Sequence, residues 1–258
     1  MIAGAQLYTL RDYCKTTEDL ENTIRRMAEI GYKAVQLSGV CDFDAAWMRD
    51  LLKDCGLVAP LTHTAYKRIV EETDKVIEEH ITYGAGYVGL GSMPNFKKAN
   101  CSLEVYDQYC KEIAPAVEKI AAAGLKFMYH NHNMEFVKLP NGKVLLEDMA
   151  DRFDTPAYGF TVDTYWVQAG GGDPAQWLTK LAGRIDTIHF KDMVYDATDN
   201  AVRMAPVGSG NINHIAAARA AEAGGTKYVF VEQDRCYDED PFVCMKKSYD
   251  YLKGIGLE

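Results

Sequence analysis

The sequence lacks an excess of positive charge, long apolar segments and paired cysteines. Its formal net charge is −9, and an acidic chain repels phosphate backbones, so we expect no nucleic-acid partner. No run approaches the roughly 20 apolar residues that a membrane-spanning helix needs, so we expect no membrane partner either. The 7 cysteines include no CxxC pair, which in a chain of 258 residues favours reduced thiols and a cytoplasmic location.

Segments that would separate domains are also missing. The chain contains no low-complexity tract and no Pro/Ser-rich linker. Its length fits one large α/β barrel, since such barrels reach about 250 residues as one unit. We therefore expect a single domain over residues 1–258.

What the sequence does contain is a repeated unit. An amphipathic helical stretch ends at glycine, a short apolar run follows, and polar residues close the run. The helical patterns are clearest at 18–30, 67–83 and 103–122. Eight alternations of helix and strand over about 250 residues predict a single (β/α)8 TIM barrel. The eight apolar runs are IAGAQLYT, KAVQLSG, LVAPLTHT, YVGLGS, LKFMYHNH, AYGFTVDT, RIDTIHFKD and TKYVFVEQD.

A doubly wound open sheet is the competing architecture. That fold carries a GxGxxG motif directly after its first strand when it binds a dinucleotide, and this sequence has none there. The glycine-rich segment GAGYVGLGS at 84–92 lies before and inside a predicted strand rather than at the start of a helix. We interpret it as helix capping and close packing, not as a nucleotide site.

Polar side chains collect at the ends of the apolar runs, where a TIM barrel builds its active site. Consecutive runs, from the fifth to the eighth, end with a histidine or glutamate, Asp163, His189 and Glu232. Such groups are costly to bury unpaired, and a divalent cation is their simplest common partner. Each one alone has a structural alternative, as a helix N-cap, an ion-pair partner or a packed histidine.

Four segments in this order, YHNHNMEF, VDTYW, HFKDM and VEQD, resemble the xylose isomerase-like TIM-barrel superfamily, the sugar phosphate isomerase/epimerase group. The resemblance covers nearly the whole chain. It implies one divalent metal ion, most often Mn²⁺, with Mg²⁺, Co²⁺ or Zn²⁺ as alternatives. Carried over residue by residue, it implies Asp163, His189 and Glu232 as ligands.

The fourth ligand departs from the pattern of the group. Many sugar epimerases of this group have glutamate directly at the end of the fifth strand, where this chain has His130. The nearest carboxylate is Glu135, which we expect to be the ligand, as in the HNHxxE subgroup that the segment resembles. His130 and His132 remain alternatives, as a fourth ligand or as a base.

The resemblance implies a sugar or keto-sugar isomerase/epimerase. Its reaction would be proton abstraction α to a carbonyl through a metal-stabilised enediolate. A lyase or dehydratase acting on an inosose or a 3-keto-sugar is the alternative, because it would use the same metal site. The expected catalytic residues are Glu135, Glu232 and His132. The expected substrate-binding residues are His63, His130, Lys191, Tyr8 and Trp166.

Two other functions stay in view. An endonuclease of the same superfamily acting at abasic DNA would hold several zinc ions with many histidines, and 6 histidines with a charge of −9 disfavour it. A sugar-binding barrel without activity would lack the metal. The sequence does not determine whether the protein forms a homo-oligomer, which sugar it acts on or whether that sugar is phosphorylated. A phosphate group would need a cradle of backbone N–H groups, and VGSG at 207–210 is a weak candidate for one.

Overall fold

The computed structural model of the protein describes residues 1–94 and 103–258. Eight parallel strands close into a barrel, which confirms the predicted (β/α)8 architecture. Around the barrel they follow the order β1, β10, β7, β6, β5, β4, β3, β2. Their bounds are Ile2–Gln6 (β1), Ala34–Leu37 (β2), Val58–Thr62 (β3), Tyr87–Leu90 (β4), Lys126–His130 (β5), Tyr158–Asp163 (β6), Thr187–Phe190 (β7) and Tyr228–Val231 (β10).

Helices surround the barrel and connect successive strands. In chain order they are Thr17–Ile30 (α1), Ala45–Cys55 (α2), Tyr66–Glu71 (α3), Thr73–Tyr83 (α4), Leu103–Ala122 (α5), Leu145–Arg152 (α6), Thr164–Ala169 (α7), Pro174–Lys180 (α8), His214–Ala223 (α9) and Pro241–Gly254 (α10). Two 3-10 helices cover Leu7–Tyr13 and Met134–Phe136. The helix predicted over 67–83 is divided into α3 and α4, because Glu72 lies between them with ψ of 30°.

Helix α1 shows how the sequence produces these elements. The side chain of Thr16 accepts a hydrogen bond from the backbone N–H of Asp19, which satisfies an otherwise free donor at the helix start. Leu20, Ile24 and Met27 recur on one face and are fully buried against the barrel.

The glycine-rich segment after α4 is structural, as predicted. Gly84 ends α4 in the left-handed conformation at φ 81°, which glycine adopts at little cost. A Cβ atom on Gly89 would lie 2.1 Å from the carbonyl oxygen of Thr62, so the close approach of β3 and β4 requires glycine there. Gly84 thus caps a helix and Gly89 permits close strand packing, and neither belongs to a dinucleotide-binding motif.

One element was not predicted. After β7 the chain forms an antiparallel hairpin of β8 (Asp192–Asp196) and β9 (Ala201–Ala205), which stands outside the barrel sheet. It rises from the carboxyl end of β7, so it borders the mouth of the barrel where a functional site is expected.

Six cysteines within the described ranges are free thiols, and Cys101 lies outside those ranges. In the parts of the chain at 1–94 and 103–258, no helix has the length and apolarity that crossing a membrane requires.

Candidate metal centre and active site

Four buried side chains meet at the carboxyl ends of consecutive barrel strands. They come from β5, β6, β7 and the residue after β10, because parallel strands end at the same edge of the barrel. One ligand atom from each lies within 4.8 Å of all the others, an arrangement that can hold a metal ion. The four residues are His130, Asp163, His189 and Glu232.

Hydrogen bonds fix the orientation of both imidazoles. Nδ1 of His130 donates to the carbonyl oxygen of Gly91 at 3.0 Å, and Nε2 of His189 donates to Oε1 of Gln36 at 2.6 Å. In the neutral rings the other nitrogens therefore present lone pairs. A second-shell acceptor that fixes the tautomer in this way is usual for metal-binding histidine.

These lone pairs face carboxylate oxygens. Nε2 of His130 lies 3.3 Å from Oδ2 of Asp163, and Nδ1 of His189 lies 2.9 Å from Oε2 of Glu232. Within the described part of the chain, neither His189 Nδ1 nor Glu232 Oε2 makes a hydrogen bond of acceptable geometry. Such atoms repel one another unless a cation, either a proton or a metal ion, lies between them. The residues therefore fit a divalent ion.

The two carboxylate oxygens of Asp163 make different contacts. Oδ1 accepts a hydrogen bond from the backbone N–H of Trp166 at 2.9 Å and caps α7, whereas Oδ2 faces the histidines. The backbone N–H of Asp163 donates to Oδ1 of Asn131, which holds the start of α7 against β5. The helix-cap and metal-ligand interpretations of this residue are thus compatible.

Lys191 supplies a positive charge beside the cluster. It is 1% exposed, and its Nζ lies 3.5 Å from Asp163, 3.3 Å from Glu232 and 2.8 Å from Asp234. Burial alone would lower the pKa of this amine, but the carboxylates outweigh burial and raise the pKa above its usual value. Three carboxylates against one ammonium leave a negative balance, which favours binding of a further cation.

The same charge interactions lower the pKa values of Asp163 and Glu232 and raise the pKa of His189. Burial would raise the pKa of Asp163 and of Glu232, yet Lys191 and the histidines hold both pKa values low. Burial would lower the pKa of His189, yet Glu232 and Asp163 raise it. Asp234 differs, since burial and the charge of Glu232 raise its pKa to about 6.

Glu135, the fourth ligand expected from the sequence, lies outside this group. His130 is the fourth candidate ligand instead. Its carboxylate is fully buried and accepts hydrogen bonds from the hydroxyl of Tyr129 at 2.6 Å and from the backbone N–H of His132 at 2.8 Å. The strand ends at His130, so the chain turns into a 3-10 helix before Glu135 is reached. His130 occupies the place at the cluster instead.

The expected substrate-binding residues line one cavity of about 350 Å³ above the cluster. His132 packs against Trp166, with ring centroids 5.2 Å apart, and the ammonium of Lys191 lies 5.2 Å from the centre of the Trp166 ring. The cavity is lined by Tyr8, His63, His130, His132, Trp166, Lys191, Glu232 and Asp234, among others. A larger cavity of about 620 Å³ lies beside it, between the loops after β2 and β3, and shares Ser38 and His63.

Two roles were not foreseen from the sequence. Gln36 fixes the tautomer of His189, and Gln6 donates from Nε2 to Oε1 of Glu232 at 3.1 Å. Both are polar residues at the ends of apolar runs, which was the available signal.

The candidate phosphate cradle at 207–210 is already occupied by a side chain. The backbone N–H groups of Gly208 and Gly210 donate to Oδ2 of Asp192 at 2.9 and 3.0 Å. Asp192 is buried, and its hydrogen bonds hold this loop against the start of β8.

A family model described as xylose isomerase-like TIM barrel matches residues 24–253. The chain belongs to the xylose isomerase-like TIM barrel family. No curated protein matches the sequence significantly.

Three solved structures illustrate the shared fold. A sugar phosphate isomerase/epimerase from Parabacteroides distasonis is 22% identical, with a TM-score of 0.78 over 98% of both chains. An L-ribulose 3-epimerase is 16% identical, with a TM-score of 0.78 over 99% of this chain and 94% of that one. The IolI protein, solved with a bound zinc atom, is 14% identical, with a TM-score of 0.73 over 99% of this chain and 98% of that one.

Proposed function

We propose that this protein is a divalent-metal-dependent isomerase or epimerase of a sugar or keto-sugar, with His130, Asp163, His189 and Glu232 as the metal ligands. The observation that carries the proposal is the pair of oriented histidines, whose inward nitrogens face the two carboxylates. The zinc atom in the IolI structure and the epimerase names among the structural neighbours support it.

The donor set bears on which metal is held. Two imidazoles and two carboxylates suit Mn²⁺, Co²⁺ or Zn²⁺ better than Mg²⁺, which prefers oxygen ligands. When bound, such an ion polarises a carbonyl oxygen and stabilises negative charge that develops on it.

His132 is the proton carrier in this proposal. Its ring lines the cavity above the cluster, in contact with Trp166 and with the ring of His130, whose centroid is 4.9 Å away. Glu135 holds the backbone of His132 in place and is therefore a positioning residue. Glu232 is kept deprotonated by Lys191 and His189, which suits a ligand.

The remaining cavity residues bind and orient the sugar. Trp166 and Tyr8 provide flat apolar surfaces for a sugar ring, and His63 offers a ring nitrogen in the same cavity. Ser38 contacts Nδ1 of His63 at 3.2 Å, which fixes the orientation of that ring. The ammonium of Lys191 is placed to donate to a substrate oxygen while it stays paired with Asp234.

The test combines metal binding with proton exchange. We expect one tightly bound divalent ion per chain, and NMR in deuterated water should show deuterium entering a keto-sugar at the carbon beside the carbonyl. Exchange without loss of water supports isomerase or epimerase chemistry, whereas an enone product would assign the lyase alternative. A preparation that binds no divalent ion contradicts the proposal.

A further inference from the structure

A second cavity continues from the candidate active site toward solvent. It has a volume of about 470 Å³ and shares Tyr8, Trp166 and Asp234 with the cavity above the metal ligands. The shared residues place the two cavities side by side at the mouth of the barrel. The cavity at the cluster, of about 350 Å³, is at the small end of ligand sites and suits a single sugar ring.

Exposed apolar side chains gather around this second cavity. Tyr8, Val202 and Tyr237 are 38%, 54% and 45% exposed, and all three line it together with Tyr165 and Trp166. Large exposed apolar groups that cluster at one place mark a binding surface, whereas scattered ones do not. The hairpin that carries Val202 thus contributes a wall to this cavity.

Two of the aromatic rings are held in place by guanidinium groups. The guanidinium of Arg11 lies 4.4 Å from the centre of the Tyr8 ring, and that of Arg203 lies 4.7 Å from the centre of the Tyr237 ring. The hydroxyl of Tyr237 also accepts a hydrogen bond from the backbone N–H of Met204 at 3.1 Å. These contacts fix the rings, so that little side-chain entropy is lost when a ligand binds.

Most polar groups near this cavity have partners within the protein, while Arg235, which also lines it, is exposed. Arg11 donates to the carbonyl oxygens of Tyr8 and Asp234 at 2.7 and 3.0 Å. Arg203 is ion-paired with Asp196 and Asp199. The carboxylate of Asp234 lines the same cavity and is paired with the ammonium of Lys191 at 2.8 Å. The flat faces of the aromatic rings are the feature that would recognise an uncharged planar group.

We propose that this aromatic cavity is a subsite for a planar, apolar substituent of the substrate, so that the preferred substrate is an aryl glycoside or an aryl-substituted keto-sugar rather than a free monosaccharide. This inference rests on the proposed function, because it places the sugar portion above the metal ligands. The aromatic substituent then packs against Tyr237, Tyr165 and Val202, which line only this second cavity.

The test compares two non-reacting probes, methyl β-D-glucopyranoside and phenyl β-D-glucopyranoside, by calorimetry with the metal-loaded full chain. We expect the phenyl glycoside to bind about tenfold more tightly, since ring stacking adds to the area that is buried. Val202→Glu and Tyr237→Ala should remove this preference without weakening the methyl glycoside. Tyr237→Phe, which keeps the ring, should retain the preference.

Two control variants make the result specific. Val58→Glu introduces the same change at a residue that is 47% exposed at the start of β3, on the opposite end of the barrel, and should have no effect. Lys75→Ala alters the larger cavity after β2 and β3. If Lys75→Ala removes the preference and Val202→Glu does not, the substituent occupies that other cavity and the proposal is overturned.

Equal affinities for the two probes, or no binding of the phenyl glycoside at millimolar concentration, also overturn the subsite. A change of oligomeric state in Val202→Glu, measured by light scattering, would instead assign the surface to a contact between copies. Metal binding is measured separately, so failure of the proposed function shows as absent metal and failure of the subsite shows as absent phenyl preference.

Discussion

Nζ of Lys191 lies 3.3 Å from Oε2 of Glu232, the same oxygen that faces Nδ1 of His189. The ammonium would therefore compete with a metal ion bound at the cluster for its negative charge. At such distances two unit charges interact by about 4 kcal/mol at the effective dielectric constant of a protein site, so the competition is substantial.

We predict that Lys191→Met binds divalent metal more tightly than the wild type, by on the order of tenfold, while its turnover falls. The gain arises because a positive charge is removed beside two ligand carboxylates. Calorimetric titration with Mn²⁺ and a turnover assay on the same preparations measure the two effects. Weaker metal binding in this variant would show that the lysine supports the site rather than competes.

Asp163→Asn and Asp163→Ala should separate the two functions of this residue. Asparagine keeps an oxygen to cap α7 but removes the charge, so metal affinity should fall by on the order of a hundredfold with little loss of stability. Alanine removes both, and the metal-free protein should lose about 1 kcal/mol more of unfolding free energy. Urea unfolding of both metal-free variants measures the difference. Equal stability of the two variants would show that the cap is unimportant.

His130→Ala and Glu135→Gln test which residue after β5 holds the metal. His130 Nε2 lies at the cluster, so its removal should weaken metal binding by at least about tenfold. Glu135→Gln should leave the metal affinity close to that of the wild type but reduce turnover, because the backbone of His132 is less well held. The reverse pattern in a metal titration would restore Glu135 as the ligand.

His80 should make the stability of the protein sensitive to acid. This residue of α4 is 2% exposed and contacts Oγ1 of Thr62 at 2.8 Å and the carbonyl oxygen of Val76 at 2.6 Å. Burial lowers its pKa from 6.5 to about 4. The unfolded chain therefore binds a proton below pH 6.5 that the folded chain refuses until about pH 4, so stability falls as the pH drops through this window.

The loss should amount to about 3 kcal/mol by pH 4. Denaturant unfolding of the wild type and of His80→Gln, at several pH values between 7 and 4, isolates this contribution as the difference between their slopes. Parallel curves for the two proteins would assign the acid sensitivity to other groups.

The barrel was predictable because its signals are local and repeated. Each apolar run is long enough for a buried parallel strand, and glycines such as Gly31, Gly56 and Gly84 mark the helix ends that precede the next run. Three of the four candidate ligands, Asp163, His189 and Glu232, followed from their places at strand ends.

The parts that were missed depend on how the chain turns after a barrel strand ends. Whether His130 or Glu135 reaches the cluster is decided by where β5 stops and how the chain turns afterwards, which residue types alone do not determine. The hairpin after β7 had a weak signal, since its residues alternate and Asn200 takes a left-handed turn conformation at φ 52°. The hairpin was not predicted because the sequence was interpreted as a regular repeat of one strand followed by one helix.

The most direct measurement is a crystal structure of the protein soaked with Mn²⁺ or Zn²⁺, with anomalous diffraction recorded at the absorption edge of the metal. We predict a single strong peak about 2.0–2.3 Å from Nε2 of His130, Oδ2 of Asp163, Nδ1 of His189 and Oε2 of Glu232. A peak ligated by Glu135 in place of His130, or no peak among these four side chains, would contradict the account.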